Sequence, residues 1–187
     1  IYHKERIKII KQNKIFLEEI NNSNFDNLEN KLKVIHEIKA DLERLNPPSK
    51  QTRNKTRGKK DKEQPRPLEL ISPSGLTIQI GRNNLQNEWI SIRQSKSGDI
   101  WFHAQECPGS HVVLKASTGS ASEKDIQIAA DLAAFFSKAK ANKKVPVVMT
   151  STDNLQRIPG QAAGLVRHKK SSVFWAEPKR GDMYICQ

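Results

Sequence analysis

The sequence is poor in cysteine, in long apolar runs and in the glycine-rich signatures of nucleotide-handling enzymes. Only Cys107 and Cys186 are present, too few and too far apart for a disulfide framework or a self-contained zinc site, so both read as reduced thiols. No apolar run approaches the roughly 18 to 20 residues that span a bilayer, and residues 1–14 alternate charged and apolar side chains as no signal peptide does. A cytoplasmic protein without a membrane partner is therefore expected. Phosphate-loop and dinucleotide-binding glycine patterns are both missing. Ser110 lies near Asp99, His103 and His111 in sequence, yet no nucleophile elbow frames it. His103, Cys107 and His111 recur at intervals of four, but Pro108 and Gly109 exclude a continuous helix through them, and no fourth metal ligand is evident. The expectation is a non-enzymatic chain with no cofactor and no metal. Position 1 is Ile and not Met, which suggests a piece of a longer protein.

What the sequence has in surplus is positive charge. Its 187 residues carry 32 Lys and Arg against 20 Asp and Glu, a net charge of +12. The pI is about 9.8, in the range typical of proteins with polyanionic partners. Half of that excess falls between Pro47 and Pro67, with eight basic and two acidic residues. Residues 49–66 contain no aliphatic or aromatic side chain, so this stretch buries too little surface to order itself and reads as a basic flexible linker over 47–67.

Before the linker, residues 1–46 read as an antiparallel helical hairpin. Ile7, Ile10, Leu17 and Ile20 recur at spacings of three and seven and Ile9 and Phe16 lie seven apart; Leu28, Ile35 and Leu42, and Ile38 and Leu45, also recur seven apart, with Leu32 widening the stripe. Residues 21–24 break the pattern, and Ser23 is a candidate N-cap with Asp26 as its box partner. The apolar stripe would leave a surface for self-association. After the linker, 68–187 changes to short apolar runs separated by turns. Residues 68–71 and 76–80 form a hairpin around Ser72-Pro73-Ser74-Gly75, and a short helix is capped at Asn83 or Asn84. Further strands are expected at 100–103, 112–115, 145–150, near 165–168 and at 173–176. The longest helix of this part starts at Ser122, with Glu123 and Asp125 favouring its N-terminal dipole. The fold class is α+β: a mostly antiparallel sheet with one main helix.

Period-two alternation places Asp99, Trp101 and His103 on one face of their strand and Phe102 on the other. If Phe102 points into the core, the opposite surface offers an indole and an imidazole for stacking on an unpaired base; the alternative is a Trp101 packed beneath the long helix, with His103 satisfying a turn carbonyl. In Pro108-Gly109-Ser110-His111 a Gly turn can aim successive N–H groups at a phosphate, with Lys115 nearby. Arg82, Arg93, Lys96, Arg157, Arg167, Lys169 and Lys170 fall at strand ends or turns, where they either converge on one rim or remain scattered. Asn83, Asn84 and Asn87 carry amides that read base edges or, more ordinarily, cap and turn.

Three segments taken together resemble the NFACT-R domain of ribosome-quality-control factors of the RqcH and NEMF type, also described as fibronectin-binding-like protein A. They are Ile80-Gly81-Arg82-Asn83-Asn84 through Asn87, Asp99-Ile100-Trp101-Phe102-His103-Ala104 and Pro108-Gly109-Ser110-His111-Val112-Val113. Residues 133–140 and 144–147 look like its continuation, so the resemblance covers 68–176, and residues 1–46 look like part of the coiled coil that precedes the domain. The resemblance implies binding to rRNA of large ribosomal subunits obstructed by peptidyl-tRNA, with recruitment of aminoacyl-tRNA for template-free tailing. The family's N-terminal domain is missing, so this chain alone should not support tailing. The residues expected to contact nucleic acid are Arg82, Asn83, Asn84, Asn87, Asp99, Trp101, His103, Ser110, His111 and Lys115. None is a catalytic residue. The competing reading is a protein-interaction or adhesion module, and salt dependence separates the two. The segment from Pro178 to Gln187 matches no recognised feature.

Overall fold

A computed structural model of the chain describes residues 2–23, 26–45, 64–159 and 163–186. Most of the expected linker therefore lies outside the described residues. Two helices, α1 (Tyr2–Asn22) and α2 (Leu28–Leu45), form the hairpin. Its core is Phe16 and Ile20 against Val34 and Ile38. The buried face of α1 is thus Ile9, Asn13, Phe16 and Ile20, and part of the expected stripe is turned outward, with Ile7 52%, Ile10 48%, Leu28 74% and Leu32 49% exposed. Heptad spacing identified both helices and the buried Ile9, Phe16, Ile20 and Ile38, but it did not separate them from the outward residues, because polar Asn13 and Asp41 complete the buried face. Ser23 is not the cap of α2. Its hydroxyl donates to the Ile20 carbonyl or to Asp26, whereas Asn27 Oδ1 accepts from the Asn30 amide at 2.8 Å and starts the helix.

The remaining residues form an antiparallel sheet with two covered faces. Strands β1 (Leu68–Ile71), β2 (Thr77–Ile80), β3 (Ile100–Ala104), β4 (Val112–Leu114), β5 (Val145–Ser151) and β8 (Ser172–Ala176) are arranged β1-β2-β4-β3-β5-β8, every neighbouring pair antiparallel. Two short strands, β6 (Leu155–Arg157) and β7 (Val166–His168), pair separately. Alternation sends Ile78, Ile80, Phe102, Ala104, Val112, Leu114 and Val147 to one side, where they pack on α4 (Glu123–Phe135). Ser122 caps α4 as expected, in a reciprocal box with Asp125.

Residues 178–185, where sequence suggested nothing, form a helix, α5, that packs beside α4 over the same face. Pro178 opens it, Arg180 Nε donates to the buried Asp131 carboxylate at 2.7 Å, and Gly181 rests on the Asp131 carbonyl, which a Cβ would meet at 2.6 Å. The main helix therefore has a companion. On the other face, Trp101, Val113 and Val148 pack against Ile90 and Leu155 in a second, smaller core. The cover is α3 (Asn84–Glu88), continued by a π-helical turn over Trp89–Arg93. The helix expected through Arg93 exists, but its second half widens into the π form.

Candidate nucleic-acid interface

The Gly81–Asn87 segment is built to hold the chain together. Asn83 caps α3 through Oδ1, accepting from the Gln86 amide at 2.8 Å, while Gln86 Oε1 accepts from the Arg82 amide at 2.9 Å. Asn87 Oδ1 accepts from the His111 amide at 2.9 Å, and Gly81 is required because a Cβ there would sit 2.3 Å from that same oxygen. The remaining donors face the hairpin. Arg82 pairs with Asp26, Asn83 Nδ2 and Gln86 Nε2 both donate to Glu37 at 2.6 and 2.8 Å, and Asn84 Nδ2 donates to Asp41 at 2.7 Å. Arg82, Asn83, Asn84 and Asn87 are buried. Their side-chain groups bind the hairpin and the neighbouring turn, not solvent, which corrects their expected place on an open RNA-facing surface.

Asp99 and Lys115 form a second closed arrangement at the start of β3. The buried Asp99 carboxylate pairs with the Lys115 ammonium and accepts from the Lys96 amide at 2.8 Å, the Ser117 amide at 3.1 Å and the Ser117 hydroxyl at 2.6 Å. Burial alone would raise its pKa, but Lys115 and these donors outweigh it and hold the carboxyl below the usual range. Asp99 therefore fastens a turn instead of presenting an acid beside Trp101. Ser110 is likewise buried. Its amide donates to the Phe136 carbonyl at 2.8 Å and the His111 amide is taken by Asn87, so these two N–H groups of the expected anion nest are already used.

Trp101, His103 and His111 do come together. Their strand and turn meet at a cleft of about 490 Å³ between α1 and the sheet, to which His168 contributes from the end of β7. Trp101 stacks on His103 with centroids 5.7 Å apart and planes at 12°, meets the edge of His111 at 5.0 Å, and leans against His168 at 6.0 Å. Trp101 is 3% exposed, so the indole is packed and not open to solvent, but not beneath the long helix: Phe102 is in the main core against α4 and the indole is in the minor core with Ile90. Burial lowers the His103 pKa to about 4 and that of His111 well below the ordinary imidazole value, so both rings are neutral at neutral pH. His111 Nδ1 is 2.8 Å from the Ser91 hydroxyl. The deep wall of the cleft, Trp101, His103 and His111, is thus uncharged.

Lys8 of α1 and Glu106 line its edge, and Arg167, Lys169 and Lys170 are exposed in the turn that carries His168. Thr150, the cross-strand partner of Trp101, receives this turn by donating to the carbonyls of Lys169 or Lys170 at 3.2 Å. The other expected basic residues do not join it: Arg93 and Arg157 both pair with Glu88. Sequence reasoning missed three contributors. His168 lies more than 60 residues from His103, so no local spacing announces it. Gly164, with φ +79°, brings the β6–β7 connection against α3, where a Cβ would meet the Asn84 carbonyl at 2.8 Å. Trp175, 62% exposed, stands on the cleft side of β8 next to Val173; its alternation with Phe174 was the available signal.

Fold and cleft together define an α+β binding module: a two-sided antiparallel sheet with an aromatic pocket beside exposed cations. Comparison with known families makes the class specific. Residues 67–168 match the NFACT protein RNA binding domain, and the chain belongs to that family. It is 40% identical over 107 residues to the Rqc2 homolog RqcH of Bacillus subtilis, covering 57% of this chain and 18% of that protein. It is 31% identical over 147 residues to the Rqc2 homolog RqcH of Streptococcus pneumoniae, covering 79% and 26%. The chain thus spans about a quarter or less of the length of these relatives. Among solved structures, the C-terminal part of the fibronectin/fibrinogen-binding protein from Streptococcus suis superposes with a TM-score of 0.73 at 28% identity, over 94% of this chain and 64% of that one.

Proposed function

We propose that this chain is a non-catalytic, cytoplasmic RNA-binding part of a ribosome-quality-control factor. In this reading it binds large ribosomal subunits obstructed by peptidyl-tRNA and helps bring aminoacyl-tRNA to them for template-free tailing of the stalled chain. The observation that carries the reading is the juxtaposition of an aromatic cleft with the exposed Arg167-Lys169-Lys170 turn in a member of the NFACT RNA-binding family. Cations fix the backbone of an RNA strand while rings engage its bases.

The test is co-sedimentation of the chain with purified large ribosomal subunits over a range of salt. Replacing Arg167, Lys169 and Lys170 by Glu removes three phosphate-binding cations, which should flatten the log-log salt slope by about 2. A binding constant indifferent to salt and to the triple replacement sinks the reading. A second reading, a protein-interaction or adhesion module, draws on the outward apolar residues of the hairpin, Ile7, Ile10, Leu28 and Leu32, and on the name of the solved relative. It calls for salt-insensitive binding abolished by Leu28→Asp.

A further inference from the structure

The cleft differs from an ordinary phosphate site in a way that narrows its ligand. Its deep wall is Trp101, His103 and His111, and neither imidazole carries charge at neutral pH because burial disfavours the protonated ring. Val148 and Val173, next to His103 on the same sheet face, add apolar surface. No charged side chain belongs to this deep wall; Lys8 and Glu106 line the cleft elsewhere, and further cations stand outside it on the turn through Lys170. One polar atom in the wall is unsatisfied: Trp101 Nε1 is buried and has no acceptor among the described residues. A buried donor left unpaired is costly, and native proteins rarely tolerate one without a use. His168, whose ring centre lies 6.0 Å from that of Trp101, is the exposed member of the cluster.

From these features we infer that the cleft receives a single unpaired nucleobase of an RNA strand. The base lies against the imidazoles of His103 and His168 and accepts a hydrogen bond from Trp101 Nε1, while the flanking phosphates follow the Arg167–Lys170 turn. The inference deepens the RNA-binding reading and rests on it. The ligand it names is a flat, uncharged ring with acceptor atoms at its edge, attached to an anionic backbone. A base inside a duplex does not enter, because stacking and pairing hold it away from a concave wall. The exposed Trp175, on the same sheet face beyond Val173, gives the neighbouring base a second surface to stack on.

The experiment uses the full 187-residue chain and two labelled probes, a mixed-sequence single-stranded oligoribonucleotide and the same ribose-phosphate backbone without bases. The intact strand should bind roughly five- to a hundredfold more tightly than the abasic one. In ¹H-¹⁵N spectra the Trp101 indole resonance, assigned by its disappearance in Trp101→Phe, should move with the intact strand and stay in place with the abasic one. Val173→Asp, an exposed change at the cleft rim that leaves the core intact, should shrink the preference for the intact strand. Equal affinity for both probes with a stationary indole signal overturns the base pocket while leaving RNA binding through the backbone standing. No affinity for either probe removes the RNA-binding reading and the pocket with it.

Discussion

Replacing Asp99 with Ala distinguishes a structural carboxylate from a ligand-facing one. The side chain is fully buried and accepts four hydrogen bonds, from the Lys115 ammonium, the Lys96 amide, and the Ser117 amide and hydroxyl. Removing one member of a buried ion pair costs about 3 to 5 kcal/mol, because its partner is left without compensation. Lys115 also donates to the Gln94 carbonyl at 3.1 Å and its side chain is 12% exposed. The lower end of that range therefore applies, about 3 kcal/mol. For a chain of this size that corresponds to a fall in Tm of about 6 to 12 °C by circular dichroism.

Asp99→Asn keeps the shape but loses the charge, and should cost about 2 kcal/mol. In the Asp99→Ala background, Lys115→Met should add little, giving a coupling energy of about 2 kcal/mol. Because the folded pKa of Asp99 is depressed, its contribution is present above the unfolded value near 3.8 and is lost as pH falls through the folded value. An Asp99→Ala protein with unchanged Tm and weakened RNA binding would show that the carboxylate faces the ligand and refute this account.

Neutral His103, with its pKa lowered by burial from 6.5 to about 4, should cost the fold up to about 3 kcal/mol as pH falls across that window. His111 adds in the same direction, so urea midpoints should drop between about pH 7 and pH 4 and recover part of that loss in His103→Gln. Glu19 works oppositely: burial raises its pKa from 4.5 to about 7, so the fold loses stability as pH rises through that interval. Glu19→Gln should therefore stabilise the chain at about pH 8, by up to about 3 kcal/mol, and leave it unchanged at about pH 4. Gly164→Ala forces a side chain into positive φ against the Asn84 carbonyl, and should lose about 1 to 3 kcal/mol from backbone strain alone, read by thermal melting. Arg82→Ala strands the Asp26 carboxylate at the hairpin contact, so limited proteolysis should cut α1 or α2 faster than in the parent while the sheet domain survives.

Local chemistry determines much of this fold. The Ser72–Gly75 turn, the Ser122 cap, and the alternation that puts Phe102 in the core follow from residues a few positions apart, and each stands as expected. The NFACT-R motif was equally legible, since a family signature is a property of sequence. What those motif residues do was decided by tertiary contacts. Arg82, Asn83 and Asn84 look like an RNA-reading patch until Asp26, Glu37 and Asp41 arrive from the hairpin, some 40 to 60 residues earlier, and take up their donors. Asp99 is spent on Lys115, 16 residues onward. The fourth ring of the cleft, His168, joins Trp101 only because β7 folds back over β5 and Thr150 grips the turn that follows. Hydrogen-bonding and charge complementarity act through space, so a chain-local reading shows which groups are available and leaves their partners to the fold.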